Sequence, residues 1–179
     1  MGGTRGVRFG IIKRVFGRVA NKGMEMNVAF QKTQIGMIGI VENAGTIVQV
    51  AFEGEPVSHD VVRRGTPLLS DAFRQLDAYL AGQLRTFTLP LAPEGTPFQK
   101  KIWRILEKIP YGKTLSYKDV AIRAGNSKAT RAVGMANNRN PIPIIIPCHR
   151  VIGADGKLVG YGGGLDMKAR LLAIEGWRG

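Results

Sequence analysis

The sequence contains one cysteine among 179 residues, so it forms no intrachain disulfide and cannot build a thiolate metal cluster. Histidine is nearly as scarce, with two in the chain, and neither a metal nor an organic cofactor is expected. The longest apolar runs, around Ile35–Val41 and in "IPIIIP" at 142–147, fall far short of the roughly 20 residues that span a bilayer, so no membrane association is expected. Acid is missing from residues 1–24, which carry Arg5, Arg8, Lys13, Arg14, Arg18 and Lys22. One hydroxyl residue and apolar pairs broken by Gly10 and Gly17 argue against a transit or signal peptide there. We read 1–24 as a peripheral basic arm. A lone thiol without an export signal points to a reducing, cytoplasmic setting.

What is present is basic charge. Lysine and arginine number 26 against 13 acids, for a net charge of +13, of which the arm supplies six. The body is therefore basic in its own right, and a basic soluble domain attracts polyanions, nucleic acid above all. With 44% hydrophobic and 22% charged residues, the chain has the composition of a globular protein with a real core.

The patterning falls into two halves. From Thr33 to Phe52, two β-rich runs joined by Glu42, Asn43, Ala44 and Gly45 read as a hairpin, and "EGEPVSHDVVRRG" reads as a loop. Thr66 and Pro67 form an N-cap and first-turn pair for a helix carrying Leu69, Ala72, Phe73, Leu76 and Leu80 and stopping at Gly82. "RTFTLPL" is a short strand candidate. The Pro/Gly-rich "APEGTPFQKK" marks a boundary, giving an α+β unit over 25–92 and a second unit over 93–179. In the latter, Thr96–Pro97 starts a helix running toward Ile109. Ser116 and Asp119 form a capping box for "YKDVAIRAG", stopped by Gly125. Asn126 or Ser127 is the expected cap of "KATRAVGMANN". These two helices have helix-turn-helix spacing, although packed core helices can share it. "IPIIIP" reads as a buried strand, "VIGADGKLVGY" as a hairpin turning at Asp155–Gly156, and "LDMKARLLAIEG" as a closing helix.

The chemistry concentrates at "IIIPCHR". A thiol becomes a strong nucleophile as thiolate and needs a base or cation nearby. His149 follows Cys148 directly, but neighbours on a strand face opposite sides. Either the chain bends after Pro147 or a water bridges the two groups. The plainer alternative is a cysteine serving as a small buried hydrophobe, with the adjacent histidine and arginine then costly to bury.

The run "NPIPIIIPCHRVIGADGKLVGYGGGLDMKARLLAIEG", preceded by "PYGKTLSYKDVAIRAGNSKATRAVGMANNRNP", closely resembles the O6-alkylguanine-DNA alkyltransferase family, continuously from about Gly95 to Gly176. The resemblance implies a small ribonuclease-H-like N-terminal domain followed by a winged helix-turn-helix alkyltransferase domain. It implies that Cys148 takes the alkyl group from O6 of guanine, with O4-alkylthymine as a second expected substrate. His149 would accept the thiol proton through a water and Glu175 would hold the histidine. The product is a thioether, so the protein is consumed by one turnover. Tyr117 would donate to guanine N3, and Tyr161 would line the base pocket. Backbone groups of Cys148, Val151 and Gly162 would read the base edge; many members carry serine where Gly162 stands. Arg131 would fill the stack vacated by the flipped base, Thr130, Ala132 and Gly134 would let the helix enter the minor groove, and Asn140 would tie the helix-turn-helix to the cysteine segment. The implied partner is double-stranded DNA containing O6-alkylguanine, met by a monomer. Three alternatives contend: a binding protein that only marks the lesion, a Cys-His hydrolase and a transcription regulator. The presence of Cys148 opposes the first, the missing oxyanion hole the second, and the missing sensor domain the third.

Overall fold

The computed structural model describes residues 26–57 and 61–178; the basic arm assigned to 1–24 lies outside them. Two strands joined by a tight turn at Ala44–Gly45, β2 (Gly36–Asn43) and β3 (Thr46–Phe52), form the expected hairpin. The sequence reading missed β1 (Met26–Thr33), which pairs antiparallel with β2, and β4 (Val61–Arg63), which lies parallel to β1. The sheet order is β3-β2-β1-β4. Its central strand β2 is buried from Ile38 to Glu42, as continuous apolar text requires of a strand covered on both faces. β4 escaped notice because three residues amid charges carry no usable period.

Helix α1 (Pro67–Leu80) packs on this sheet through Leu69, Ala72, Phe73 and Leu76. Thr66 caps it as expected: its hydroxyl oxygen accepts from the Leu69 amide, and its proton goes to the buried Glu42 carboxylate of β2. One hydroxyl thereby closes the helix start and pins it to the sheet.

In the second half, α2 (Pro97–Leu106) opens with a capping box between Thr96 and Gln99. Trp103 is buried and donates its indole N–H to the Ala136 carbonyl at 2.9 Å. A two-residue strand β5 (Leu115–Ser116) leads into α3 (Tyr117–Arg123), whose Ser116–Asp119 capping box is as expected. α4 (Thr130–Asn138) packs against both α2 and α3. It starts later than expected, after an Ala129 cap without a side-chain bond. Asn126 instead uses its side-chain Oδ1 to accept from the Lys128 amide at 3.0 Å, closing the preceding turn. β6 (Val151–Ile152) pairs parallel with β5, and α5 (Leu165–Ile174) ends the fold.

Three expected strands are corrected. "RTFTLPL" contributes a single bridge, Leu91 to Ile47 of β3. Its amide partners on β3 run out because Pro90 can only accept, at 2.8 Å from the Ile47 amide. "VIGADGKLVGY" turns at Ala154–Gly156, but β6 finds its partner in β5, so no hairpin forms. "IPIIIP" is buried yet not a strand. Ile146 donates back to the Ile142 carbonyl at 2.9 Å, and Ile144 takes φ +74°, a left-handed conformation costly for a β-branched residue. The prolines at 141, 143 and 147 interrupt any ladder, and the segment coils instead.

The halves meet along a buried seam. The Val50 amide of β3 donates to the Pro141 carbonyl at 2.9 Å, Phe52 packs edge-on to Tyr161, and Tyr79 of α1 reaches Glu175. The Cys148–Arg150 segment lies beside this seam, with Tyr79 of α1 also reaching His149.

Candidate active site

Cys148, His149 and Arg150 form a single 3₁₀ turn after Pro147. Successive side chains on such a turn point about 120° apart instead of 180°, so the bend after Pro147 is the arrangement found. The turn exists because the Asn140 side-chain amide donates to the Ile146 carbonyl at 2.8 Å while its oxygen accepts from the Ile142 amide at 3.0 Å. The Asn137 side chain of α4 donates to the Cys148 carbonyl at 3.3 Å. The helix-turn-helix and the cysteine turn are thus held together by two asparagines, one anticipated and one not.

Glu175, the C-terminal cap of α5, lies buried at the centre of a dense network. Its Oε1 accepts from His149 Nε2 at 2.9 Å, from Tyr79 Oη at 2.7 Å and from Arg150 Nη2 at 2.8 Å. Its Oε2 accepts from Arg150 Nε and from the Gly112 amide, both at 3.0 Å. Arg150 spends its remaining nitrogen on the Ile109 carbonyl at 2.6 Å. Burial opposes ionisation of Glu175, but the His149, Arg150 and Tyr79 bonds outweigh it and bring the carboxyl down to about 2. This explains an acid at a helix C-terminus, where the macrodipole alone disfavours it. Gly112 belongs to the arrangement: it has φ +70°, and a Cβ there would sit 2.8 Å from the Glu175 carbonyl oxygen.

His149 is fully buried, and burial depresses its pKa against the pull of Glu175, so the neutral imidazole is the resting form. With the Nε2 proton directed at Glu175, the Nδ1 lone pair is the basic position. Nδ1 is buried with no partner among the described residues. Cys148 is 4% exposed, and burial pushes its thiol up to about 11. Asn140, within hydrogen-bonding reach, and the Lys168 charge pull in the opposite direction. A protonated thiol beside a neutral imidazole cannot rest as an ion pair; it can lose its proton as the sulfur attacks.

Lys168 escaped the sequence reading. Its ammonium, in the middle of α5, donates to the Val151 carbonyl at 2.5 Å and the Val159 carbonyl at 2.6 Å. Burial lowers it to about 8. It fastens the 151 and 159 backbones beside the thiol, and one lone pair of the Val151 carbonyl is therefore already used. Tyr117, the first residue of α3, places its hydroxyl 3.2 Å from the Val159 carbonyl and 3.3 Å from that of Gly160, with its pKa raised by burial to about 12. Tyr161 is 9% exposed, and its hydroxyl is buried without a partner among the described residues. Gly162 is exposed next to it. Cys148, Tyr117, Val151 and Tyr161 converge on one locus, while Arg131 and Ala132 are exposed and Thr130 half-buried in the first turn of α4. A separate groove of about 620 Å³, lined by Arg85, Lys100, Arg104, Lys108 and Tyr111, lies behind Arg150 and touches none of the Cys148 pocket side chains.

Tyr79, Gly112 and Lys168 were not singled out because each acts across the fold. The one available signal was Arg150, a charge set inside an apolar run that had to find a buried partner.

Residues 97–177 match the model of the 6-O-methylguanine DNA methyltransferase DNA binding domain, and residues 26–93 that of its ribonuclease-like domain. The methylated-DNA--protein-cysteine methyltransferase of Methanosarcina acetivorans is 62% identical over 106 residues, 59% of this chain and 68% of that protein. The crystal structure of the Mycobacterium tuberculosis O6-methylguanine methyltransferase superposes with a TM-score of 0.77 at 40% identity, covering 84% of this chain and 92% of that one. The same mycobacterial protein in complex with DNA superposes at 0.76, covering 84% and 91%. The constitutive enzyme of Bacillus subtilis is 44% identical over 151 residues, 80% of this chain and 92% of its own length. With both halves matched in order, the chain belongs to the methylated-DNA--protein-cysteine methyltransferase family.

Proposed function

We propose that this protein repairs O6-alkylguanine in double-stranded DNA by moving the alkyl group to Cys148, and that O4-alkylthymine is a second substrate. The single observation that carries the reading is the Cys148 turn backed by the buried His149–Glu175 pair. A base inside a duplex is out of reach of a buried thiol, so the nucleotide must be extruded first, at a cost of a few kcal/mol. Arg131, exposed on the first turn of α4, takes the vacated place in the stack. Thr130 and Ala132 let α4 lie close in the minor groove, next to exposed apolar side chains at Ile122 and Met135.

The flipped base enters between Tyr117 and Tyr161. The Cys148 and Val151 carbonyls and the Gly162 amide meet its edge. Sulfur attacks the alkyl carbon, the S–C bond forms as the C–O6 bond breaks, and the electron pair leaves with guanine. The thiol proton passes through a water to His149 Nδ1, and Glu175, its carboxyl held down at about 2, stabilises the imidazolium without taking its proton. Tyr117 turns its hydroxyl from the Val159 and Gly160 carbonyls to guanine N3 and meets the developing negative charge. Asn140 keeps the turn in register with α4.

A thioether offers no leaving group for a second step, and the chain has no second thiol to attack it, so one molecule repairs one lesion. We further propose two units, 25–92 and 93–179, with the arm 1–24 ahead of them, acting as a cytoplasmic monomer. No helix among the described residues is long and apolar enough to cross a membrane.

Peptide mass after mixing with duplex DNA containing O6-methylguanine tests the proposal. One methyl on Cys148, at one per molecule and inert to fresh substrate, is expected. Tight lesion binding with no mass change would overturn it in favour of a protein that only marks damage. Cys148→Ser should end transfer and leave lesion binding intact.

A further inference from the structure

We propose that Tyr79, a residue of the N-terminal unit, is a positioning residue for alkyl transfer: its hydroxyl closes a hydrogen-bond ring with His149 and Glu175. This rests on the repair reading above. Tyr79 is fully buried on α1. Its Oη donates to Glu175 Oε1 at 2.7 Å and lies 3.2 Å from His149 Nε2. Since its one proton goes to the carboxylate, its lone pair faces the Nε2–H, which is shared between Glu175 Oε1 at 2.9 Å and this oxygen. The ring therefore specifies the Nε2–H tautomer twice and leaves Nδ1 as the base.

The hydroxyl can only donate to Glu175 or accept from His149, never ionise. Burial, then the neighbouring Glu175 charge and its hydrogen bond, push its pKa far above the ordinary value. The ring plane is fixed by Phe87, tilted at 5.2 Å, and by Tyr111, edge-on at 6.1 Å. The charged and titratable groups around His149 are Glu175 beyond α5, Arg150 on its own turn, Lys168 on α5, the Cys148 thiol and Tyr79 on α1. Of these, only Tyr79 comes from the first half of the chain. Among the described residues, that half supplies no other hydrogen bond to His149 or Glu175, and α1 extends to the seam to deliver this one.

Removing the hydroxyl leaves the carboxylate less neutralised and the imidazole with one guide instead of two. The test is Tyr79→Phe in the full chain, which keeps the ring packing. Single-turnover transfer from O6-methylguanine duplex is measured across pH, together with lesion affinity, melting temperature and a nitrogen-15 titration of His149, one of two histidines. We expect transfer about tenfold slower at neutral pH, as for loss of one charge-assisted hydrogen bond. Lesion affinity should be unchanged, and the His149 midpoint should move upward because Glu175 pulls harder on Nε2–H. Wild-type rate with an unmoved midpoint would overturn the inference, as would a slower rate with an unmoved midpoint, which assigns the loss to packing. Absence of transfer in the unaltered protein would instead refute the repair reading itself.

Discussion

Glu175→Gln removes one negative charge from the most heavily hydrogen-bonded side chain among the described residues, and the structure fixes both the size and the pH signature of the loss. Glu175 has its folded pKa depressed from the ordinary 4.5 to about 2, so its contribution is present above the unfolded value and is lost as pH falls from about 4.5 toward 2. Each unit of difference corresponds to about 1.4 kcal/mol, giving on the order of 3 kcal/mol for the ionised carboxylate at neutral pH. His149 acts in the same direction one step earlier. Its folded pKa is depressed below 6.5 by burial, so the unfolded chain takes up a proton first and stability falls as pH drops below about 6.5. In Glu175→Gln the Arg150 guanidinium stays buried with no counter-charge, and breaking a buried pair by removing one partner costs about 3–5 kcal/mol. The assay is urea unfolding followed by fluorescence of Trp103 and Trp177 from pH 7 to pH 3. The variant should be less stable by about 3–5 kcal/mol at pH 7, and the gap from the unaltered protein should narrow below pH 4.5. Asp71 and Asp119 also have lowered pKa values, but they titrate in both proteins and cancel in the difference. A gap that stays constant from pH 7 to pH 3 would refute the linkage, because the stabilisation would then not belong to the ionised carboxylate.

Gly112→Ala forces a left-handed backbone and a 2.8 Å approach to the Glu175 carbonyl oxygen; a loss of about 1–3 kcal/mol is expected, read as a lower melting temperature. Lys168→Met strands the Val151 and Val159 carbonyls and should cost about 1–3 kcal/mol. It also removes a cation that favours the Cys148 thiolate, so the thiol should titrate higher in the variant, as followed by alkylation rate against pH. Arg131→Ala leaves the Cys148 turn untouched. It should slow transfer from duplex far more than from the free modified base, and any phosphate contact it makes will appear as a salt slope smaller by about one.

Much of the second half was legible because its information is local. The Thr96–Pro97 cap, the Ser116–Asp119 capping box and the stop at Gly125 are written within three or four residues, and the structure has them in place. The first half was legible where burial is periodic, as in β2, β3 and α1, and illegible at β1 and β4. β4 is three residues long, and β1 has a single buried position, Val28, among half-buried and exposed ones, which leaves no apolar stripe to recognise. The misread strand at 142–147 is instructive: its composition gave burial correctly, but three prolines and a left-handed Ile144 decide that a buried segment coils.

The chemistry divides in the same way. One thiol, set next to a histidine and an arginine inside apolar text, follows from the chain alone, as does the impossibility of disulfides and thiolate clusters. What the chain could not state was how adjacent Cys148 and His149 are arranged. The answer depends on a 3₁₀ turn held by Asn137 and Asn140, on a carboxylate 26 positions beyond His149 and on a tyrosine 70 positions before it. Residue types and short-range spacing specify caps, turns and the presence of a nucleophile, because those are nearest-neighbour physics. The protonation states of the Cys148 thiol and the His149 imidazole come from burial and from partners brought together by folding, and only tertiary packing sets those.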